Sequence, residues 1–263
     1  MFKQCRRAVG NLDSEWFNKI KTTASCEFLT FSVDKKADLW AEDIELFSDK
    51  TCFVVNFKER KYKVSVPIPG IFTVHNVLNV LGISLLLGVS LEDAISALST
   101  FKGVKGRLEL VPTPNKPYKV YIDYAHTPDG LEKILISAKE FSKGRVIVVF
   151  GCGGCRDPFK RPIMGKIGTE LADFAIITSD NPRTESPKGI ISQILRGVSK
   201  EKQNYKVIVD RIGAIQYALD MAEENDVIIL AGKGHETSQE IFGKILYMDE
   251  REIVKEYLER RTI

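Results

Sequence analysis

Val146-Ile147-Val148-Val149-Phe150-Gly151-Cys152-Gly153-Gly154-Cys155-Arg156 is the stretch on which the fold turns. It opens with an unbroken apolar run, mostly β-branched, and stops at a glycine. A run that short reads as a strand buried on both faces, at the centre of a sheet. Short β-branched runs recur at residues 120–124, 174–178, 206–209 and 227–231, and segments with helical spacing lie between them at 128–142, 161–172, 187–199 and 211–224. Strands alternating with helices predict an α/β, Rossmann-like unit with a mostly parallel sheet.

The pattern upstream is different. Residues 28–32, 38–46, 51–57 and 61–66 read as short strands after one early helix, and the alternation of Tyr62, Val64 and Val66 predicts an antiparallel strand with one buried face. Two helices follow. One starts at Thr73 and carries Val74, Val77, Leu78 and Leu81; the other is capped by Ser90 and runs to about Phe101. Gly103 and Gly106 end the helical pattern, so the boundary is placed between a β-rich unit with helices at 1–106 and the α/β unit at 107–263.

Composition narrows the function classes. The chain has 263 residues, 44% hydrophobic and 28% charged, with a net charge of only +3. No basic block stands out, so nucleic acid is not expected as a partner. The most apolar stretch, residues 80–91, is interrupted by Gly82, Ser84, Gly88 and Ser90. It falls short of the roughly 18 residues that a membrane helix needs. No secretory leader is read at the start. Five cysteines, irregularly spaced, suit a reducing compartment. A soluble, cytoplasmic protein is the expectation.

In parallel sheets ligands gather beyond the carboxyl ends of the strands. Four polar clusters fall at such ends: Asp123-Tyr124-Ala125-His126, residues 151–156, Asp180-Asn181-Pro182-Arg183 and Gly232-Lys233-Gly234-His235-Glu236. Each has a structural and a ligand reading. Asp123 and His126 either turn the chain into a helix at Thr127-Pro128 or contact a nucleotide, the aspartate on ribose. The glycine loop lets backbone N–H groups approach an anion, with Arg156, Lys160 and Arg161 adding charge. Its Cys152-x-x-Cys155 pair also admits a dithiol or zinc reading. Arg183 either belongs to a turn or forks onto a carboxylate. Glu236 is either a helix N-terminal carboxylate or an ammonium acceptor. His75-Asn76-x-x-Asn79 fits capping and a solvated face, or contact with adenine. The full phosphate-loop pattern occurs nowhere in the chain, and no metal-binding cluster is read.

Taken together and in order, these segments resemble the Mur ligase family, in its MurE-type branch. The resemblance rests on His75-Asn76-Val77-Leu78-Asn79, Gly106-Arg107-Leu108-Glu109, the segment from Asp123 to Asp129, Val149 to Gly154, Lys160-Arg161-Pro162, Asp180 to Glu185 and Gly232 to Glu236, with Ala8 to Asp13 also matching. It implies ATP- and Mg2+-dependent amide formation through an acyl phosphate, with UDP-N-acetylmuramoyl-L-Ala-D-Glu and meso-diaminopimelate as substrates. It further implies that His75, Asn79, Asp123 and His126 contact ATP and that Arg107 reaches the γ-phosphate as the catalytic cation. Arg156, Asp180, Asn181, Arg183, Gly232 and Glu236 would form the amino-acid pocket. Arg156 and Arg183 favour diaminopimelate over lysine, because only diaminopimelate has a distal carboxylate. The alternatives are a lysine-adding ligase, a non-catalytic amino-acid or partner-binding module, and a dithiol redox protein. Cys155 stands where the family usually has aspartate. The family's UDP-sugar domain, phosphate loop, magnesium ligands and carbamylated lysine have no counterpart in these residues. The polypeptide alone is therefore expected to lack ligase activity, with the missing half possible as a separate chain.

Overall fold

The computed structural model describes residues 4–260. It divides into two compact units, with the chain boundary between Lys102 and Gly103.

In the first unit, strands β1 (Arg7–Asn11), β2 (Glu27–Ser32), β3 (Leu39–Leu46), β4 (Thr51–Phe57) and β5 (Arg60–Val66) form one sheet in sequence order, with helix α1 (Phe17–Thr23) between the first two. Strands β1 to β3 pair in parallel and β3 to β5 antiparallel. The alternation in β5 has the expected consequence: Val64 and Val66 are buried and Lys63 and Ser65 exposed. Helices α2 (Ile71–Leu86) and α3 (Leu91–Ser99) supply Val74, Val77, Leu78, Leu81, Leu91 and Ala94 to a core shared with Phe31, Leu39, Phe53 and Val55. Ser90 caps α3 by accepting the Asp93 N–H. Helix α2 starts ahead of Thr73, at Ile71, after Gly70 reverses the chain at φ 97°. Asn76 therefore lies inside the helix, exposed, and caps nothing.

The second unit is built from β6 (Glu109–Val111), β7 (Lys119–Asp123), α4 (Pro128–Phe141), β8 (Val146–Phe150), α5 (Lys160–Leu171), β9 (Phe174–Ile177), α6 (Pro187–Leu195), β10 (Tyr205–Val207), α7 (Arg211–Met221), β11 (Val227–Ala231), a hairpin of β12 (Ser238–Ile241) and β13 (Lys244–Tyr247), and α8 (Glu250–Glu259). Its main sheet runs β10-β9-β8-β11-β7-β6, parallel except for β6 at one edge. All five residues of β8 are buried, as its unbroken apolar run predicts. One face packs Val120, Ile122, Ile147, Val149, Ile228 and Leu230 against α7 and α8. On the other, the Tyr121 ring meets Phe141 of α4 edge-on, with centroids 5.7 Å apart. After β8 the chain moves outward to β9 and β10, then returns to insert β11 between β8 and β7. That reversal of strand order leaves a crevice at the carboxyl rim, where such sheets bind ligands.

Candidate functional site

The carboxyl rim of the second unit brings the strand-end clusters together. A cleft of about 650 Å³ is lined by His126, Arg156, Asp180, Asn181, Arg183, Gly232 and Glu236, together with Tyr124 and Lys160. Arg107 and Asp123 lie outside this lining. His75 and Asn79 belong to the first unit, on α2, where Asn79 is exposed and Nδ1 of His75 is buried without a hydrogen-bond partner.

Asp123 does the turn-forming work. One carboxylate oxygen accepts the Leu108 N–H at 2.7 Å and the other the Ala125 N–H at 2.8 Å. Burial raises its pKa, against the opposing pull of these two bonds and of Arg107. The exposed Arg107 guanidinium lies 5.2 Å from the Tyr124 ring centre, and that ring also neighbours His126 at 4.4 Å and His235 at 5.4 Å. Lys160 donates to the His126 carbonyl at 2.6 Å. Thr127 caps α4 by accepting the Gly130 N–H, with Pro128 in the first turn. The turn reading of this cluster is thus physically present alongside the ligand reading.

The glycine loop after β8 is held from outside. Arg161, only 1% exposed, forks onto Glu185 at 2.8 and 2.9 Å and donates to the Gly153 carbonyl at 3.1 Å. Glu185 also accepts the Cys155 N–H at 2.5 Å. Its carboxylate is pushed down to about 2, first by Arg161 and then by that N–H. Gly154 packs against the next loop so closely that a Cβ there would sit 1.9 Å from the Pro182 carbonyl oxygen. Arg156 is left exposed, without hydrogen bond or ion pair among the described residues. The dithiol reading has no chemical support. Both cysteines are free, and Cys152 is buried against the Met164 sulfur with its thiol pushed up to about 12, chiefly by burial. Cys155 points outward, with Sγ 3.0 Å from the Thr184 hydroxyl.

The two remaining loops interlock. Arg183 donates to the Gly154 carbonyl at 2.9 Å and lies 3.7 Å from Glu240. Asn181 donates to Glu236 Oε2 at 2.7 Å, while its own Oδ1 accepts from Lys233 at 3.2 Å and from the Glu240 N–H at 3.1 Å. Asp180 leaves Oδ2 buried and unpartnered, and a Cβ on Gly232 would meet that oxygen at 2.6 Å. Only a glycine at 232, at φ 115°, leaves this approach open. No helix follows Glu236; β12 does, so the helix-terminus reading of that carboxylate falls.

Several contributors were not singled out as site residues from the sequence. Lys233 is wholly buried, turned away from solvent by its glycine neighbours at φ 115° and 55°. Arg211 ties together the carbonyls that precede Asp180 and Gly232, donating to Ser179 and Ala231, and pairs with buried Glu250 at 2.8 Å. Gln239 supports the Asp180 carbonyl at 2.6 Å.

The fold and cleft together define a doubly wound α/β domain with a charged site on its carboxyl rim. The Mur ligase middle-domain profile matches residues 1–84, and the profile "Mur ligase, glutamate ligase domain" matches residues 106–234. A UDP-N-acetylmuramoyl-L-alanyl-D-glutamate–2,6-diaminopimelate ligase of Clostridium botulinum is 46% identical over 259 residues, which is 98% of this chain and 53% of the relative. The Clostridium tetani protein of the same name is 45% identical over 260 residues. A solved structure of a ligase with that name superposes with a TM-score of 0.75 at 30% identity, over 98% of this chain and 54% of that one. The chain belongs to the Mur ligase family. It spans about half the length of the curated relatives it matches.

Proposed function

We propose that this chain forms the amino-acid-binding part, together with an ATP-facing part, of an ATP-dependent ligase. That ligase adds meso-diaminopimelate to UDP-N-acetylmuramoyl-L-Ala-D-Glu. The observation that carries the reading is the charge layout of the rim cleft. Unpartnered Asp180 Oδ2 and the Glu236 carboxylate offer acceptors to an ammonium group, and Arg156 and Arg183 offer guanidinium donors to a carboxylate. A ligand with both charges at its far end matches that layout, and lysine matches half of it. The names of the relatives agree with this choice.

In this reading, activation of the dipeptide carboxylate as an acyl phosphate precedes attack by the amine, and the rim residues hold and aim the amino acid. Asn79 and His75 contact the base of ATP. Arg107 supplies positive charge near the γ-phosphate, and His126 with Asp123 lies along the ribose. Arg107 and Lys160 suit a polyanionic nucleotide by charge. Among the described residues no group of three His, Cys, Asp or Glu stands together that could hold a metal ion. No helix among the described residues is long and apolar enough to cross a membrane; the cytoplasm is the compartment proposed.

The test is calorimetric titration of the chain with meso-diaminopimelate and with L-lysine. Diaminopimelate should bind at least roughly tenfold more tightly, the scale of one lost charged hydrogen-bond set. Equal affinity for the two would remove the diaminopimelate assignment. Binding of neither would remove the pocket.

A further inference from the structure

A fully buried lysine at the edge of a ligand cleft needs an explanation, because an ammonium is costly to desolvate unless it is paired. Lys233 is such a residue, with a side chain 0% exposed. Its ammonium has two partners, Asn181 Oδ1 and Glu236 Oε2, each at 3.2 Å. The same Glu236 oxygen also accepts Asn181 Nδ2 at 2.7 Å. These three side chains form a closed triangle. It fixes the Asn181 amide in one orientation, because Lys233 and the Glu240 N–H both require an acceptor at Oδ1.

The triangle also makes Glu236 asymmetric. Oε2 is saturated by two donors from the protein, and Oε1 has no partner among the described residues. The Glu236 side chain is 31% exposed, so Oε1 is its solvent-reaching oxygen. On the same cleft wall stands Asp180 Oδ2, buried and unpartnered, over Gly232. Asp180 is itself tied to the triangle, since its Oδ1 accepts the Asn181 N–H at 2.7 Å.

We propose that Lys233 is a positioning residue for ammonium recognition: it locks Glu236 and Asn181 so that the cleft shows an incoming ammonium two oxygens in fixed places, Glu236 Oε1 and Asp180 Oδ2. Lys233 does not touch the ligand. It occupies one carboxylate oxygen with protein donors and leaves the other for the ligand, which lowers the ordering cost of binding. The inference rests on the reading of the cleft as an amino-acid pocket. It adds that discrimination for the distal ammonium depends on a residue outside the contact set.

The experiment compares meso-diaminopimelate with 2-aminopimelate, which keeps both carboxylates and lacks one ammonium. Calorimetry gives the ratio of the two dissociation constants for the wild-type chain and for Lys233→Met, whose side chain is similar in length and uncharged. The wild type should prefer diaminopimelate by about tenfold or more, and Lys233→Met should bring the ratio close to one by weakening diaminopimelate alone. A general loosening of the fold would weaken both ligands alike, and an unchanged ratio would overturn the proposal. Should Lys233→Met fail to fold, acetylation by acetic anhydride, mapped by mass spectrometry, takes its place. Lys233 should resist acetylation in the wild type while Lys133, 75% exposed, reacts; Glu236→Ala should release Lys233 to the reagent. Reaction of Lys233 in the wild type, or continued protection in Glu236→Ala, would overturn the lock. If the wild type binds neither ligand, the amino-acid pocket falls, and acetylation still decides whether Lys233 is locked to Glu236.

Discussion

Two glycine-bearing loops on the same rim, residues 151–156 and 232–236, hold their charges in opposite ways. The first is clamped by neighbours. Arg161 of α5 and Glu185 grip its backbone at Gly153 and Cys155, and the loop's own cation, Arg156, stays exposed. The second is held partly from within, with Arg251 of α8 also donating to its Gly234 carbonyl at 3.0 Å. Its own cation, Lys233, is turned inward onto Glu236 and Asn181, and the exposed charge that remains is a carboxylate. Whether a charge in a glycine loop faces a ligand is therefore decided by the partners it finds: Lys233 is buried on two, and Arg156 has none among the described residues. The difference yields one cationic and one anionic lobe in a single cleft, as a zwitterionic ligand requires.

The sharpest way to break this contrast is to remove the outside clamp. Arg161→Ala strips Glu185, Gln193 and the Gly153 carbonyl of their shared donor. Loss of a buried guanidinium that holds a partly exposed carboxylate and two further acceptors should cost about 2 kcal/mol, read as a lower urea midpoint with an unchanged slope. Diaminopimelate affinity should fall with it, because Arg156 loses its mount. A loss under about 0.5 kcal/mol, the range of an ordinary surface change, would mean that the clamp is idle.

Acid gives a gentler probe of the same clamp. Glu185 is shifted from 4.5 down to about 2 in the folded chain, first by Arg161 and then by the Cys155 N–H. A folded value below the unfolded one means a contribution that is complete above about pH 4.5 and lost as pH falls toward about 2. Urea midpoints measured across that window should drop more steeply for the wild type than for Glu185→Gln. Parallel curves would remove Glu185 as the source.

The smallest effect is expected at Cys155, which holds φ 53° without being glycine. Asparagine tolerates that conformation well, so Cys155→Asn should change stability by less than about 0.5 kcal/mol and leave diaminopimelate affinity in place. A large loss of affinity would assign the Cys155–Thr184 contact a role in the cleft.

Much of this was legible in the sequence. The strands ending at Asp123, Phe150 and Ala231 were readable from their apolar runs, and so was the grouping of polar clusters beyond them. Some elements escaped: β6, the β12–β13 hairpin and α8, although α8 places Ile253, Val254, Tyr257 and Leu258 at helical spacing. So did the division of labour among polar residues. Nothing local to Asp123 announces that both its oxygens accept backbone N–H groups, one of them from Leu108, 15 residues away. Nothing local to Glu109 announces its pairing with Arg251, 142 residues away.

By itself, then, the sequence determined the α/β alternation, the central strand and the place of the rim loops, because each follows from periodicity and chain reversal over a few residues. The tertiary structure alone decided which charges are spent inside the protein and which face the cleft. Lys233 and Arg156 are each a cation in a glycine-bearing loop, and what separates them is that Lys233 finds buried partners while Arg156 has none among the described residues. The partners lie far off in the chain: Asn181, 52 residues from Lys233, and Glu185, 30 residues from Cys155. Burial beside such a partner removes a charge from ligand binding, and lack of one leaves it available.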